Sequence, residues 1–194
     1  MSDILLSPPV MSTDPFPHFA VSSAFGAEAS EKVLRWLETS APWKLKVAEF
    51  YEQYEFSVLD CELPAEVQAV FNDENLAKLR RRLEQMFGTQ LSNRQDVAAH
   101  KLVQGQRIRI HNDYIPGQET HRVLVQLNRG WQDEFGGILL FFGSDDSRDI
   151  RKAFRPAHDS SVAFQISPSS HHAVTPIAGG ERFTLVLSFY EQHD

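Results

Sequence analysis

The strongest constraint on the fold is a change of character near Asp96. From there the chain breaks into short β-like runs with turn residues between them. The runs are 97–103, 106–112, 121–128, 137–143, 161–167, 171–176 and 182–190, and the turns include Gly105, Pro116-Gly117, Gly136-Gly137, Pro168 and Gly179-Gly180. The residues before it are helical in pattern. Ser22 or Ser23 can cap a helix running through Ala27-Glu28 to about Glu38, with Val33, Leu34, Trp36 and Leu37 as its apolar stripe. Pro64 suits a first-turn position, with Val67, Val70 and Phe71 on one side. A further helix is predicted from about Asp73 to Phe87, ended by Gly88. Residues 43–60 stay ambiguous between strands and irregular structure, and Pro15 to Val21 reads as extended. The pattern predicts an α+β protein, a double-sheet jelly roll backed by N-terminal helices.

With 194 residues, one domain is expected. It would span 15–194 after a flexible arm over 1–14, with a helical layer at about 22–87 and the jelly-roll core at about 95–191. Fourteen Phe suggest an aromatic core. The net charge of −7 gives no pull towards nucleic acid or an anionic membrane, so neither is expected as a partner. One cysteine, Cys61, excludes an internal disulfide framework and fits a reducing compartment. No apolar run approaches the ~18 residues of a membrane span, and Ile4-Leu5-Leu6 has no basic lead of the signal-peptide kind. The expectation is a soluble, cytoplasmic protein of undetermined oligomeric state.

Near the middle lies Arg107-Ile108-Arg109-Ile110-His111-Asn112-Asp113. Apolar and polar residues alternate at period two, so this reads as a strand on which His111 and Asp113 share a face. An imidazole and a carboxylate converging there are two thirds of a facial metal triad. Arg109 would share that face, with Ile108 and Ile110 turned towards the packed layer. Taken alone, the pair reads more readily as a solvated strand face whose His and Asp meet only water. The second half of the chain supplies further pieces: His171-His172-Ala173-Val174-Thr175-Pro176, then Gly179-Gly180-Glu181-Arg182-Phe183-Thr184.

His-x-Asp, a distal His-x-Val-x-Pro and an arginine ten residues later together resemble the Fe(II)- and 2-oxoglutarate-dependent oxygenases, in their prolyl 4-hydroxylase-like subgroup. Gly105-Gln106 before His111, Leu127-Asn128, Gly136-Gly137 through Phe141, and Pro15-Phe16-Pro17 are similar to further stretches of that family. The likeness covers 95–191 well and 15–40 loosely. It implies a single oxygenase domain and Fe(II) held by His111, Asp113 and His172, with His171 on the opposite strand face. It also implies 2-oxoglutarate as co-substrate, O2, and stimulation by ascorbate. Arg182 would pair with the far carboxylate, since a guanidinium fork matches a carboxylate bidentately. Thr184, on the same strand face, would add a hydroxyl donor. Two tyrosines that contact the co-substrate in relatives are replaced by Leu102 and Gln126, and Gln126 can itself donate to a carboxylate.

Related halogenases lack the carboxylate ligand, so Asp113 implies hydroxylation. The implied reaction hydroxylates an unactivated carbon, with release of succinate and CO2. A weaker likeness, through Ala99 to Leu102, His111 to Tyr114 and Ser167 to Ser170, is to small bacterial oxygenases associated with cyclophane-containing ribosomal peptides. It suggests a peptide or protein residue as substrate, with Arg109, Arg122, Asn112 and Tyr114 as substrate-binding candidates. Arg109 and Arg122 could instead pair with Glu119 or Asp133 at the rim. A free amino acid or small metabolite as substrate, and a non-catalytic jelly-roll binding module, are the alternative readings.

Overall fold

The computed structural model describes residues 9–192. Two antiparallel sheets face each other, and helices cover the outer face of the larger one. The larger sheet has the order β1-β9-β6-β11-β4-β3-β2 and the smaller β5-β10-β7-β8. The strands of the first are β1 (His18–Val21), β2 (Lys44–Val47), β3 (Glu52–Ser57), β4 (Leu91–Leu102), β6 (His121–Gln126), β9 (Ser160–Gln165) and β11 (Arg182–Glu191). Those of the second are β5 (Ile108–His111), β7 (Leu139–Phe142), β8 (Ile150–Phe154) and β10 (His172–Val174). This is the double-stranded β-helix expected from the run of short strands. No described helix is long and apolar enough to cross a membrane.

Helices α1 (Ala27–Thr39) and α3 (Asp73–Phe87) lay their apolar stripes on the larger sheet. Val33, Leu34, Leu37, Leu79 and Leu83 pack there with Val97, Ala99, Val123, Leu185 and Leu187. The sheet residues in that cluster are the odd-numbered ones, as the period of two requires. The alternate residues point between the sheets. Leu102, Leu124, Val162, Phe164 and Val186 meet Phe141 and Val174 of the smaller sheet in a second apolar cluster. Each fully buried Phe or Leu contributes roughly 1.5–3 kcal/mol, so both faces of the larger sheet are anchored.

α3 begins and ends as predicted. The Asn72 side chain accepts from Asn75 N at 2.9 Å, and Gly88 closes the helix in the left-handed conformation at φ 67°. The start of α1 differs from expectation, because neither Ser22 nor Ser23 caps it. The buried Asp159, reached from the turn before β9, accepts instead from Ala24 N (3.1 Å), Phe25 N (2.8 Å), Ser23 Oγ (2.6 Å) and Ser30 Oγ. A distant carboxylate supplies the anion that favours a helix N-terminus. The turn after Pro64 is only the short α2 (Ala65–Gln68).

Three strand expectations also change. The ambiguous 43–60 stretch is the β2–β3 hairpin, whose β2 is an exposed edge strand. β4 starts at Leu91, because its polar first half still pairs with the end of β11. β8 was not expected, and it is a mostly exposed, charged edge strand with no apolar alternation to reveal it. The expected arm lies outside the described residues up to position 8; beyond it, Ser12 bridges His18.

Candidate active site

His111, Asp113 and His172 converge at one end of the space between the sheets, with one ligand-capable atom from each lying within 4.8 Å of the others. The Nε2 atoms of His111 and His172 lie 3.3 Å and 3.0 Å from Asp113 Oδ2. The two histidines face each other directly across the β5–β10 pair. Each Nδ1 is 2.8 Å from a backbone carbonyl, of Arg109 for His111 and Ser170 for His172. Those carbonyls fix the hydrogen on Nδ1 and leave both Nε2 lone pairs aimed at the common centre. That is the donor set a facial-triad cation needs.

Asp113 arrives there by an unexpected route. β5 ends at His111, and Asp113 lies beyond it in the left-handed region, at φ 58°. Asp tolerates this conformation better than most residues. Asn112 holds the turn: its Oδ1 accepts from Tyr114 N (3.1 Å), its Nδ2 donates to Pro168 O (3.0 Å), and its carbonyl accepts from the buried Ser170 Oγ (2.9 Å). Residues 112–114 and 167–170 are thereby latched together, which ties the two histidine-bearing strands to one geometry.

A bulge explains what the strand period misjudged. His172 pairs with His111 but Val174 pairs with Ile108, so β5 carries one extra residue in that interval. Ile108 and His111 both line the inner cavity as a result. Arg109 is exposed on a different surface groove with Gln104 to Arg107, and does not share the face of His111.

Arg122, on β6, reaches the cluster from the larger sheet. Its Nε and Nη2 donate to the Glu119 carboxylate at 2.9 and 2.6 Å, and its Nη1 donates to Asp113 Oδ2. Burial opposes ionisation of Asp113, but Arg122 and the two histidines outweigh it and hold the carboxyl far below the ordinary range. Burial likewise opposes the charge on Arg122, and Asp113 and Glu119 reverse that. Burial, helped by His111, lowers the His172 imidazole and keeps it neutral. His121 is buried beside Phe87 at the start of β6, away from the cluster. His171 points into the outer trough.

Behind the cluster the cavity has a volume of about 280 Å³ and reaches Arg182. Arg182 is 3 % exposed. Its Nη1 donates to Thr184 Oγ1 (2.7 Å), whose hydroxyl donates to Gln126 Oε1 (3.0 Å). Its Nε and Nη2 have no partner among the described residues. An isolated buried cation is costly, and burial lowers this guanidinium to about 10, still charged at neutral pH. Two orphaned donors on a buried fork are what an incoming carboxylate satisfies. Gly137 makes room: a Cβ there would come within 2.9 Å of Arg182 Cδ, and its φ is 67°.

Five of the lining residues went unrecognised in the sequence. Lys46, Gln53 and Glu55 come from the hairpin and His100 from β4, while Phe50 stacks on His111 at 4.5 Å. Only His100, two residues before Leu102, could have been found from the strand period. A wider trough of about 450 Å³ opens past the cluster, lined by Phe50, Ile110, Asn112, Tyr114, Ile115 and His171 among others.

A jelly roll with a His-Asp-His cluster at one end of its cavity and a buried arginine at the other defines a metal-dependent oxygenase of the 2-oxo-acid type. Over residues 97–190 the chain matches the 2OG-Fe(II) oxygenase superfamily. It is a 2-oxoglutarate-dependent dioxygenase using Fe(II), 2-oxoglutarate and O2.

Solved structures share the fold at low identity. A Pseudomonas putida prolyl-4-hydroxylase is 18% identical, with 85% of each chain covered and a TM-score of 0.69. A Trichoplax adhaerens prolyl hydroxylase, in complex with a hypoxia inducible factor oxygen degradation domain peptide fragment, is 15% identical, with 90% of this chain and 83% of that chain covered and a TM-score of 0.73. A viral collagen prolyl hydroxylase from Paramecium Bursaria Chlorella virus-1, in its 2OG complex, is 15% identical, with 90% and 96% covered and a TM-score of 0.64. No curated protein matches the sequence significantly.

Proposed function

We propose that this dioxygenase hydroxylates an unactivated carbon on an amino-acid residue of a peptide or protein, releasing succinate and CO2. His111, Asp113 and His172 hold Fe(II), and Arg182, oriented by Thr184, holds the distal carboxylate of 2-oxoglutarate. The bound metal supplies oxidative decarboxylation of the 2-oxo acid coupled to hydroxylation. The protein's own contribution is placement. Arg122 keeps Asp113 ionised and aimed, the Nδ1 contacts fix both imidazoles, and the apolar walls Leu102, Leu124, Leu139 and Val186 keep water from the reacting centre.

The observation that carries the substrate class is the open trough past the metal cluster. Its flank includes Tyr114 and Ile115, which are 42% and 62% exposed and suit an extended chain better than a small polar metabolite. The peptide held by the Trichoplax relative supports the same reading. Of the residues expected to bind substrate, Tyr114 is best placed. Asn112 serves chiefly as the latch, Arg122 is committed to Asp113 and Glu119, and Arg109 lies outside the cavity. The test gives the protein Fe(II), 2-oxoglutarate and O2 with either a peptide library or the free amino acids. Succinate and a gain of one oxygen atom on a peptide support the reading. Oxygen gain on free amino acids alone would replace it with the small-metabolite alternative.

A further inference from the structure

The family's two co-substrate tyrosines are absent here, and the cavity contains a polar side chain that the metal cluster and the arginine leave unused. Direct cross-strand partners run Glu55, His100, Thr184, Gln126 across β3, β4, β11 and β6. Opposed residues on one sheet face have Cβ atoms about 4.5–5.5 Å apart. His100 therefore stands beside the hydroxyl that already bonds Arg182.

Its tautomer follows from its neighbours. Gln53 Nε2 donates to Glu55 Oε2 at 2.8 Å and lies 3.2 Å from His100 Nδ1. Turning the amide over would set its oxygen against the Glu55 carboxylate, so the nitrogen stays where it is. His100 Nδ1 is then the acceptor, and the ring hydrogen sits on Nε2. The nearest carboxylate oxygen to Nε2, Glu55 Oε2, is 3.9 Å away, beyond hydrogen-bond reach. Burial lowers this imidazole to about 4, which leaves it a neutral donor at pH 7. The cavity thus collects, among the described residues, two free N–H groups of Arg182 and the Nε2–H of His100, beside a Thr184 hydroxyl whose hydrogen is held by Gln126.

We propose that His100 is a positioning donor for the distal carboxylate of 2-oxoglutarate, taking the place of the tyrosine hydroxyls lost at Leu102 and Gln126, with Gln53 and Glu55 fixing its tautomer. The proposal rests on the reading of this cavity as the 2-oxoglutarate site. Leu102 and Gln126 offer no phenol, and the Gln126 carbonyl is already occupied by Thr184. His100 lies two residues before Leu102 on the same face of β4, so its ring enters the space that a tyrosine at 102 would share.

Calorimetric titration of the Mn(II)-loaded full chain with 2-oxoglutarate, and separately with pyruvate, tests this without turnover. Pyruvate keeps the metal-chelating 2-oxo acid and lacks the distal carboxylate. His100→Leu and His100→Ala should each weaken 2-oxoglutarate about tenfold or more, as expected for one hydrogen bond to a charged group. Pyruvate and Mn(II) affinities should not change, and His100→Gln, which keeps a donor, should stay within about threefold of wild type. Unchanged 2-oxoglutarate affinity in both apolar variants overturns the proposal, and so does equal weakening of both acids. Its failure is distinct from failure of the underlying site. If wild-type protein does not prefer 2-oxoglutarate to pyruvate, the cavity assignment falls and His100 with it.

Discussion

The two faces of the larger sheet are made of alternate residues of the same strands, yet they meet opposite demands. On β11, Phe183, Leu185 and Leu187 enter the helix-covered core, while Arg182, Thr184 and Val186 face the cavity. The outer face is apolar, close-packed and complete within the chain. The inner face holds an unpaired buried cation and free donors, groups that weaken a fold unless something else satisfies them. Stability is concentrated on one face and ligand recognition on the other, which is why β11 alternates polar and apolar residues from Arg182 to Leu185 and turns apolar on both faces only at Val186 and Leu187.

That contrast can be broken deliberately, and the largest effect is expected at the metal cluster. His172→Ala removes one of three donors, so metal affinity should fall by more than the ~100-fold typical of losing only a supporting partner, and turnover should vanish. Metal titration by calorimetry checks this, and wild-type-like metal affinity would rule out His172 as a ligand. Arg182→Met comes next. It should weaken 2-oxoglutarate on the order of 100-fold, two charge-assisted bonds being lost. In the absence of ligand it should leave the fold no less stable, and raise stability by up to roughly 3 kcal/mol, because burial depresses this guanidinium to about 10. A large loss of thermal stability would contradict the division between faces.

Leu187→Ala, on the outer face, should do the reverse, costing about 2–5 kcal/mol in denaturant unfolding while the 2-oxoglutarate affinity of the folded protein is kept. pH probes the same face. Burial holds His121 at about 4, whereas the unfolded chain binds that proton near 6.5. The share of stability due to His121 is therefore full above pH 6.5 and is lost as the pH drops towards 4, roughly 3 kcal/mol in addition to the similar share of His100. His121→Gln should flatten that decline. The smallest effect is expected for Thr184→Val, about tenfold in 2-oxoglutarate affinity from losing the hydroxyl that orients Arg182, with metal binding unchanged.

What the sequence revealed divides along the same lines. The triad and Arg182 were legible because each is a distinctive side chain at a fixed distance from the next along the chain. The β5 bulge was not, since it depends on how many residues β10 sets against β5, and it reversed the placement of Ile108 and Arg109. Asp113 does lie beside His111 and His172, but a left-handed turn, not strand alternation, carries it there. The hairpin side chains Gln53 and Glu55 meet His100 only through pairing across more than forty residues, which no local pattern announces. Asp159 likewise serves a helix more than a hundred residues before it. β8 lacked a signal because an exposed charged edge needs no apolar face.

The central claim is that one cavity holds a metal at its His-Asp-His end and the co-substrate's far carboxylate at its arginine end. A crystal structure of the protein with Mn(II) and 2-oxoglutarate tests this most directly. Metal density is expected bonded to Nε2 of His111, a carboxylate oxygen of Asp113 and Nε2 of His172, with the distal carboxylate on Nε and Nη2 of Arg182. A metal bound elsewhere, or a 2-oxoglutarate whose distal carboxylate leaves those two nitrogens unpaired, would contradict it.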